Sequence, residues 1–285
     1  MPNLDTTKDL FADLVDTVAR ALAEDCGTGD ITAELIDIET TANAAVITRE
    51  KAVICGRPWV TEVFRQLDPS LTLDWLVDDG DLVAPNQLLF TVTGHARQIL
   101  TGERTALNFL QTLSGTATRT RHYSDLIKHT QTRLLDTRKT LPGLRTAQKW
   151  AVSCGGCYNH RIGLYDAFLI KENHIIACDG IPKALRSTQH VDANIPIQIE
   201  VESIPQLKEA LDHGAKLILL DNFTLEAMRD AVQIADGRAL LEASGGITLE
   251  SIVQIAETGV DRISIGALTK DIDAIDLSMR FKFDN

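Results

Sequence analysis

The chain has 285 residues, of which 44% are hydrophobic and 24% charged, as in an ordinary soluble globular protein. Its net charge is −12, from 28 basic and 40 acidic residues, which argues against general binding to nucleic acid or to an anionic membrane. Five cysteines are too few for a disulfide scaffold, no apolar run reaches the ~18 residues of a membrane span, and the acidic, polar N-terminus is no secretory signal. We therefore expect a cytoplasmic folded protein of one large or two ordinary domains.

The first 130 residues predict a helix, four strands and a long helical stretch. The first helix has an apolar stripe at helical spacing and ends at Gly27; the stripe comprises Leu10, Phe11, Leu14, Val15, Val18 and Leu22. Runs typical of strands cover 44–48, 52–55, 71–77 and 88–93, and the last two flank the turn Asp79-Gly80-Asp81. Residues 98–128 are expected to be largely helical, with a break near Ser114-Gly115.

Beyond residue 130 the pattern changes to a strand, a loop and a helix, repeated. The candidate strands are short, apolar and non-alternating, as parallel strands covered on both faces are. They lie at 133–135, 167–170, 197–199, 217–220, 239–243 and 262–265. Ser203, Thr224 and Thr248 are the candidate N-caps of three intervening helices. Six strand–helix units favour an incomplete (β/α) barrel over the alternative, a doubly wound sheet.

Chemistry is expected where these strands end, because barrel sites lie at the C-terminal ends of the strands. The residues that follow the six strands are Asp136 with Arg138 and Lys139, Lys171, Glu200, Asp221, Ser244-Gly245-Gly246, and Gly266. Strand ends meet solvent in every protein, so their polarity alone is weak support for a site. The mixture of cations, carboxylates and glycines is what predicts one.

The cations form a local reversal of charge. From Arg138 to Lys171 the chain carries six basic residues and one acid, a charge of +5 in an acidic protein. A cleft lined by one sign of charge attracts ions of the other sign, and arginine holds carboxylates and phosphates with two hydrogen bonds. Lys171, after an apolar strand, also admits a second interpretation as a Schiff-base nucleophile. His160 is either a structural residue or part of the anion site.

The carboxylates and glycines have two interpretations each. Glu200 and Asp221 end successive strands, so they suit Mg²⁺ held together with substrate phosphates, and they suit an ion-pair network equally well. Ser244-Gly245-Gly246 leads from a strand to a predicted helix, where backbone N–H groups and a helix N-terminus bind anions. A glycine pair alone is more often a turn. With Gly266 after the next strand, two such loops indicate a phosphate site.

Several motifs along the chain point to one protein family. They are 136–145, Gly155-Gly156, Asn159-His160-Arg161, Gly163-Leu164, 169–174, Glu200-Val201-Glu202, Leu220-Asp221-Asn222, 242–247 and 264–269, with Glu24-Asp25, 29–32 and 102–110 upstream. In this order they closely resemble quinolinate phosphoribosyltransferase, also called carboxylating nicotinate-nucleotide pyrophosphorylase. The resemblance covers nearly the whole chain. Cys157, where the family commonly has a third glycine, departs from it and leaves the conformation of that loop open.

The resemblance implies a fold and an assembly. The family fold is an N-terminal α/β sandwich, here 1–115 joined by the C-terminal segment 275–285, followed at 116–274 by an incomplete α/β barrel of about six parallel strands. The family also implies a homodimer, with room for a higher oligomer. In that dimer, Arg104 of one subunit is expected to reach the active site of the other.

The resemblance further implies a reaction that joins quinolinate to phosphoribosyl pyrophosphate and releases nicotinate mononucleotide, CO₂ and pyrophosphate in NAD synthesis. Catalytic roles fall on Lys139, Lys171, Glu200 and Asp221, the last two also holding Mg²⁺, partly through the pyrophosphate substrate. Substrate-binding roles fall on Arg104, Thr137, Arg138, His160, Arg161, Ser244, Gly245, Gly246, Gly266 and Ala267. Among these, the arginines and His160 hold the quinolinate carboxylates, and the glycine loops hold the 5′-phosphate.

Two other enzymatic or transport-related functions compete with this one. One is a molybdenum-transport-associated relative with a different anionic substrate, and the other is a Schiff-base lyase that uses Lys171. Asn159-His160-Arg161 and the segment 171–174 fit the quinolinate enzyme better than the first alternative. A non-catalytic binding protein on the same scaffold is disfavoured because none of the charged site residues is lost. No nucleic-acid or membrane partner is expected.

Overall fold

The computed structural model describes residues 10–188 and 195–283, which form two compact units. Within these residues, the first unit takes 10–121, 140–156 and 268–283, and the second takes 122–139, 157–188 and 195–267. Because the chain passes between the units several times, neither is a single segment of sequence.

Helices and strands alternate irregularly in the first half of the chain. In order they are α1 (Leu14–Cys26), a 3₁₀ helix (Ala33–Leu35), β1 (Thr41–Thr48), β2 (Ala52–Val53), α2 (Arg57–Leu67), β3 (Thr72–Trp75), β4 (Leu82–Val83), β5 (Leu88–His95) and α3 (Ala96–Leu126). The second half contains β6 (Arg133–Leu135), α4 (Arg145–Cys154), β7 (Phe168–Ile170), α5 (Glu172–Ala177), α6 (Ile181–Ser187), β8 (Ile197–Val201), α7 (Ile204–Asp212), β9 (Leu217–Asp221), α8 (Leu225–Ala235), β10 (Leu240–Ser244), α9 (Ile252–Ala256), β11 (Arg262–Ser264), α10 (Ala267–Lys270) and β12 (Leu277–Phe283).

The first unit is built on an antiparallel sheet in the order β12-β1-β5-β3. Every second residue of β1 from Ala42 to Thr48 is buried, as expected of a strand with one face on a core. That core also receives Trp59 and Phe64 of α2 and Phe90 of β5. The predicted helix that ends at Gly27 and the predicted strands at 44–48 and 88–93 are confirmed, each with slightly different bounds.

Several elements of this unit were not predicted, among them the 3₁₀ helix, α2, β4 and β12. Helix α2 lies between the predicted strands at 52–55 and 71–77, where no element was predicted. The short strand β4 pairs with β2, which is itself shorter than the predicted strand at 52–55. The start of α2 depends on a distant residue, since Oδ1 of Asp79 accepts the backbone N–H groups of Gly56 and Arg57 at 3.0 and 3.1 Å. Such a non-local cap is invisible to local sequence patterns.

The break that was predicted in the long helix near Ser114-Gly115 is wrong. Helix α3 is continuous over 31 residues. The two residues serve its packing instead, because Ser114 Oγ accepts the N–H of Cys55 at 2.9 Å and donates to the carbonyl of the same residue at 3.1 Å. Gly115 lies against the backbone of Asp273, where a Cβ atom would collide. Helical propensity lost at these positions is therefore offset by close packing.

The second unit contains a six-stranded parallel sheet in the order β6-β11-β10-β9-β8-β7. The first strand, β6, pairs with the last, β11, and the sheet is open between β6 and β7. This cyclic order with one gap confirms the predicted incomplete barrel and excludes the doubly wound alternative, in which the order reverses at a central strand. Its strands are mostly buried, as in Ile218, Leu241 and Ile263.

Two of the three predicted N-caps are confirmed in this unit. Ser203 accepts the N–H of Gln206, and Thr224 accepts that of Ala227. The third is wrong, since α9 begins at Ile252 after the cap residue Ser251 rather than after Thr248. Thr248 lies instead in the turn before the helix, where its N–H donates to Ser251 Oγ at 3.0 Å.

Among residues 10–188 and 195–283, none of the helices combines the length and the hydrophobicity that a membrane span requires.

Candidate functional site

All but one of the predicted site residues lie in the second unit, at the C-terminal ends of its parallel strands. Glu200 is the fourth residue of β8, Asp221 is the last of β9, Ser244 is the last of β10, and Gly266 comes two residues after β11. Asp221 and Ser244 are directly opposite each other in the register of β9 and β10. Since the carboxyl ends of parallel strands meet at one edge, these residues share one end of the barrel.

Asp136, the first residue after β6, is fully buried and joins two basic segments. Its Oδ1 accepts the backbone N–H of His160 at 2.8 Å, and its Oδ2 accepts the side-chain amide of Asn159 at 2.7 Å. The predicted cations lie directly beside these contacts, in the segment 137–139 and at Arg161. One carboxylate therefore sets the position of both segments.

Arg161 and Arg138 bring two positive charges together. The pKa of Arg161 is lowered by burial and by the positive charge of Arg138, with an opposing effect from Asp166. Arg161 also donates from Nη1 to the carbonyl of Ala167 at 2.9 Å, which fixes the direction of the side chain. Two partly buried guanidinium groups whose charges act on each other are a suitable site for a carboxylate or a phosphate.

Gly266 makes room for Lys139. A Cβ atom at position 266 would lie 2.9 Å from Cδ of Lys139 and 3.6 Å from Oγ1 of Thr137. Thr137 Oγ1 in turn accepts the N–H of Lys139 at 3.1 Å. The glycine, the lysine and the threonine therefore form one cluster, and Ala267 begins α10 directly after it.

Lys171 forms an ion pair with Glu200. The distance from Nζ to Oε2 is 3.3 Å, with the lysine side chain 50% and the glutamate side chain 14% exposed. Lys171 also caps α5, and its N–H donates to Nδ1 of His174 at 3.0 Å. The Nζ atom of Lys171 is thus engaged by a neighbouring carboxylate, a geometry that suits a lysine acting by its positive charge better than a Schiff-base nucleophile.

Glu200 and Asp221 supply carboxylate oxygens at the ends of neighbouring strands. The ion-pair interpretation holds for Glu200, whereas Asp221 forms no ion pair with any residue that the structure describes. Asp221 Oδ2 accepts the side-chain amide of Asn222 at 2.8 Å. Two carboxylates with accessible oxygens are a donor set that fits Mg²⁺ bound together with a phosphate-bearing ligand.

The loop after β10 is shaped by backbone conformations that favour glycine. Gly245 has φ +105° and Gly246 has φ +57°. A Cβ atom at Gly245 would collide with Oδ1 of Asn222, whose own φ is +55° and whose N–H donates to the carbonyl of Ser244 at 3.0 Å. Successive amides in such a turn point their N–H groups outward and bind anions. The predicted contribution from a helix N-terminus is wrong, because α9 begins only at Ile252.

Arg104 is the one predicted site residue outside the second unit. It lies on α3 in the first unit and is exposed. Burial raises the pKa of its neighbour Glu103, and the positive charge of Arg104 partly opposes that rise. The contribution of Arg104 to a second subunit stays a prediction.

Sequence reasoning missed two polar residues that lie within strands of the site. Glu242 of β10 and Gln198 of β8 are buried and hydrogen-bonded to each other at 3.0 Å, and Gln198 also contacts His160. The signal that could have found them is an acid or an amide inside an otherwise apolar run. Buried polar groups are rarely placed there without a partner.

Comparisons with known proteins agree with one another. The family model of the quinolinate phosphoribosyl transferase N-terminal domain matches residues 30–114, and that of the C-terminal domain matches 116–280. A "Probable nicotinate-nucleotide pyrophosphorylase [carboxylating]" of Bacillus subtilis (strain 168) is 38% identical over 263 residues, 92% of this chain and 91% of that protein. The mitochondrial quinolinate phosphoribosyltransferase [decarboxylating] 2b of Nicotiana tabacum is 38% identical over 94% of this chain and 82% of its own length. The solved nicotinate-nucleotide pyrophosphorylase of Francisella tularensis superimposes with a TM-score of 0.92 at 49% identity, covering 95% of this chain and 96% of that one.

Proposed function

The chain belongs to the quinolinate phosphoribosyltransferase family, and we propose that it transfers the phosphoribosyl group of phosphoribosyl pyrophosphate to quinolinate. The products are nicotinate mononucleotide, CO₂ and pyrophosphate, so the protein is a decarboxylating pentosyltransferase of NAD synthesis. The observation that carries the proposal is the convergence, at one end of the barrel, of a guanidinium pair, two lysines, two carboxylates and a glycine loop.

Quinolinate carries two carboxylates, and the basic segments supply its site. Arg138 and Arg161 bind the carboxylates, because a bound anion offsets the repulsion between the two neighbouring positive charges. Lys139 lies against Gly266 and contributes a further positive charge. The nitrogen of the pyridine ring is then the nucleophile that attacks the ribose.

Phosphoribosyl pyrophosphate binds along the edge formed by β8 to β11. The backbone N–H groups of Gly245 and Gly246, together with the Ser244 hydroxyl and the turn at Gly266 and Ala267, bind the 5′-phosphate. Asp221 and Glu200 accept hydrogen bonds from the ribose hydroxyls. Lys171, held by Glu200, faces the departing pyrophosphate as a charged group.

The residues stabilise charge at two stages of the reaction. Glycosyl transfer passes through an oxocarbenium-like state at the anomeric carbon, and the carboxylates of Glu200 and Asp221 stabilise its positive charge. Lys139 and Lys171 stabilise the negative charge of the leaving pyrophosphate. Ribosylation makes the ring nitrogen cationic, and its positive charge stabilises the carbanion left on the neighbouring ring carbon when CO₂ departs. That carbon then takes up a proton from water to give nicotinate mononucleotide. Decarboxylation therefore needs no organic cofactor.

Mg²⁺ is part of the proposal. Glu200 and Asp221 would hold it, partly through the pyrophosphate of the substrate, and the oxygen donors present fit that ion. When bound, Mg²⁺ would neutralise charge on the leaving group.

A homodimer is also part of the proposal, with Arg104 entering the site of the partner subunit and with room for a higher oligomer. Supporting it, a short segment of the first unit carries three highly exposed apolar side chains, Ile31, Leu35 and Ile38, which are 82%, 85% and 64% exposed. Exposed apolar groups close together in sequence are typical of an interface.

A cytoplasmic location completes the proposal. It is supported by the five cysteines, all of which are free thiols and none of which forms a disulfide. Cell fractionation with an antibody against the chain tests it, and recovery of the protein in an organelle would contradict it.

The test of the function is a discontinuous assay with quinolinate, phosphoribosyl pyrophosphate and Mg²⁺ that follows nicotinate mononucleotide. We expect product from quinolinate, none from nicotinate, and none from Lys139→Ala. Omission of Mg²⁺ with added chelator should stop the reaction. Borohydride added during turnover should leave the mass of the protein unchanged, whereas a trapped adduct on Lys171 would support the Schiff-base lyase. Absence of product from the folded dimer would favour the molybdenum-associated alternative.

A further inference from the structure

Glu242 is a buried acid to which none of the roles above is assigned. It lies within β10, in register with Leu219 of β9 and Arg262 of β11, and it is 1% exposed. An ionised carboxylate in such a position is costly unless neighbouring groups hydrogen-bond to it. Its contacts therefore indicate its role.

Gln198 of β8 connects Glu242 to His160. Nε2 of Gln198 donates to Oε2 of Glu242 at 3.0 Å, and Oε1 of Gln198 lies 2.9 Å from Nε2 of His160. The same His160 nitrogen is 3.5 Å from Oε1 of Glu242, a buried oxygen that accepts no hydrogen bond within the described part of the chain. Three polar side chains thus lead from the interior of a strand to the loop that carries the predicted cations.

The charge of Glu242 sets the orientation of the other two side chains. A carboxylate only accepts, so the NH₂ group of Gln198 faces it and the carbonyl oxygen of Gln198 faces His160. That carbonyl requires a hydrogen on Nε2 of the imidazole. On the other side of the ring, Nδ1 accepts the backbone N–H of Arg161 at 2.8 Å and so carries no hydrogen. Both observations select the Nε2–H tautomer.

The ionised state of Glu242 is consistent with this arrangement. Burial raises the pKa of the carboxyl, but the neighbouring His160 and hydrogen bonds from Gln198 and Ser264 bring the pKa below its ordinary value. The hydrogen-bond chain therefore begins with a negative charge at neutral pH.

We propose, resting on the function proposed above, that Glu242 is a positioning residue for the quinolinate pocket. Through Gln198 it holds His160 as the Nε2–H tautomer, and Nδ1 of that ring holds the backbone of Arg161, whose guanidinium binds the substrate carboxylate. Asp136 fixes the same segment from the backbone side, by accepting the N–H of His160 at 2.8 Å. Both nitrogens of His160 are engaged within the protein, so the histidine orients the loop.

The first test is the substitution Glu242→Gln, which keeps the shape and removes the charge. Without a fixed acceptor at position 242, the amide of Gln198 can turn and the tautomer of His160 is no longer selected. We expect the KM for quinolinate to rise about tenfold, the effect of roughly 1.4 kcal/mol, while the KM for phosphoribosyl pyrophosphate stays within about twofold. A merely structural role would instead change both KM values together with the melting temperature.

The second test measures the tautomer of His160 directly and does not depend on enzymatic activity. The ¹⁵N shifts of the His160 ring in the substrate-free protein should show a hydrogen on Nε2 in the wild type and a mixture of tautomers in Glu242→Gln. The double variant Gln198→Glu with Glu242→Gln moves the charge to position 198, where it accepts from Nε2 of His160. We expect this variant to restore both the tautomer and the KM for quinolinate.

Glu257→Gln is the matched control, because Glu257 is an exposed acid 3.3 Å from another histidine, His129, and should change neither readout. A wild-type His160 with its hydrogen on Nδ1, or a folded Glu242→Gln with an unchanged KM for quinolinate, would overturn the proposal. If Glu242→Gln does not fold, the proposal is tested by the His160 tautomer of the wild type and by the KM for quinolinate of the double variant. If the wild-type protein makes no nicotinate mononucleotide, the proposed function is refuted instead. The ¹⁵N spectrum of His160 would then still show whether Nε2 carries the hydrogen.

Discussion

At the scale of single residues, the site depends on where side chains are missing as well as on where they are charged. Gly245 combines a positive φ of +105° with a neighbour, Asn222, that occupies the space a Cβ atom would need. Gly266 similarly leaves room for Lys139. Both glycines could be chosen from the sequence because each follows an apolar strand, but the side chains they accommodate could not, since those come from other strand ends.

Gly245→Ala tests the anion-binding loop. The substitution adds a collision to an unfavourable φ, a cost of about 1–3 kcal/mol, so the loop is expected to change shape. We expect the Kd for phosphoribosyl pyrophosphate to rise about tenfold or more in isothermal titration, and the Kd for quinolinate to change little.

Gly214→Ala is the control for this test, since Gly214 also has a positive φ, +82°, but nothing lies within 4 Å of its added Cβ. Equal losses of substrate affinity in both variants would mean that backbone strain anywhere in the unit, rather than the loop itself, weakens binding.

At the scale of elements, α3 departs most from what local sequence indicates. Ser and Gly together in a helix reduce its propensity, and this led to the predicted break. The structure uses both residues for packing, with Ser114 bonded to the backbone of Cys55 and Gly115 in contact with the backbone of Asp273. The propensity of two residues is a small term beside the burial of a 31-residue helix.

Gly115→Ala separates these two influences. If propensity dominated, alanine would stabilise the helix, whereas close packing predicts a loss of about 1–3 kcal/mol from the collision with Asp273. Urea unfolding followed by circular dichroism measures the difference. His122→Ala, an exposed position of the same helix, should change the free energy of unfolding by less than about 0.5 kcal/mol. A Gly115→Ala variant as stable as the wild type would contradict the packing argument.

At the scale of the assembled protein, the position of Arg104 bears on how many chains make one active site. The family resemblance implies fourteen site residues. Thirteen of them lie in the second unit, and Arg104 lies in the first. If Arg104 acts in the partner subunit, a monomer is inactive, and the activity of a dilute solution falls as dimers dissociate.

Mixing two inactive variants tests this assembly. Arg104→Ala and Lys171→Ala should each be inactive alone, but refolding them together forms hybrid dimers with one intact site, and about a quarter of the wild-type activity should return. The control mixture is Lys171→Ala with Glu200→Gln, since both residues lie in the second unit and no hybrid has an intact site. Absence of recovery in the first mixture would indicate that Arg104 serves its own subunit.

The order of the strands in the second unit could be predicted from the amino-acid sequence alone, and so could the polar residue or glycine that follows each strand. These predictions succeeded because short, non-alternating apolar runs separated by helical patterns are typical of parallel strands, and because the residue after a strand is a local property of the chain. The three-dimensional arrangement was needed to establish the closure of β6 onto β11, the continuity of α3, and the contacts of Glu242 through Gln198 to His160. Each of these features depends on groups that are far apart in sequence. Such groups come together because buried polar atoms need hydrogen-bond partners and because the interior must be closely packed.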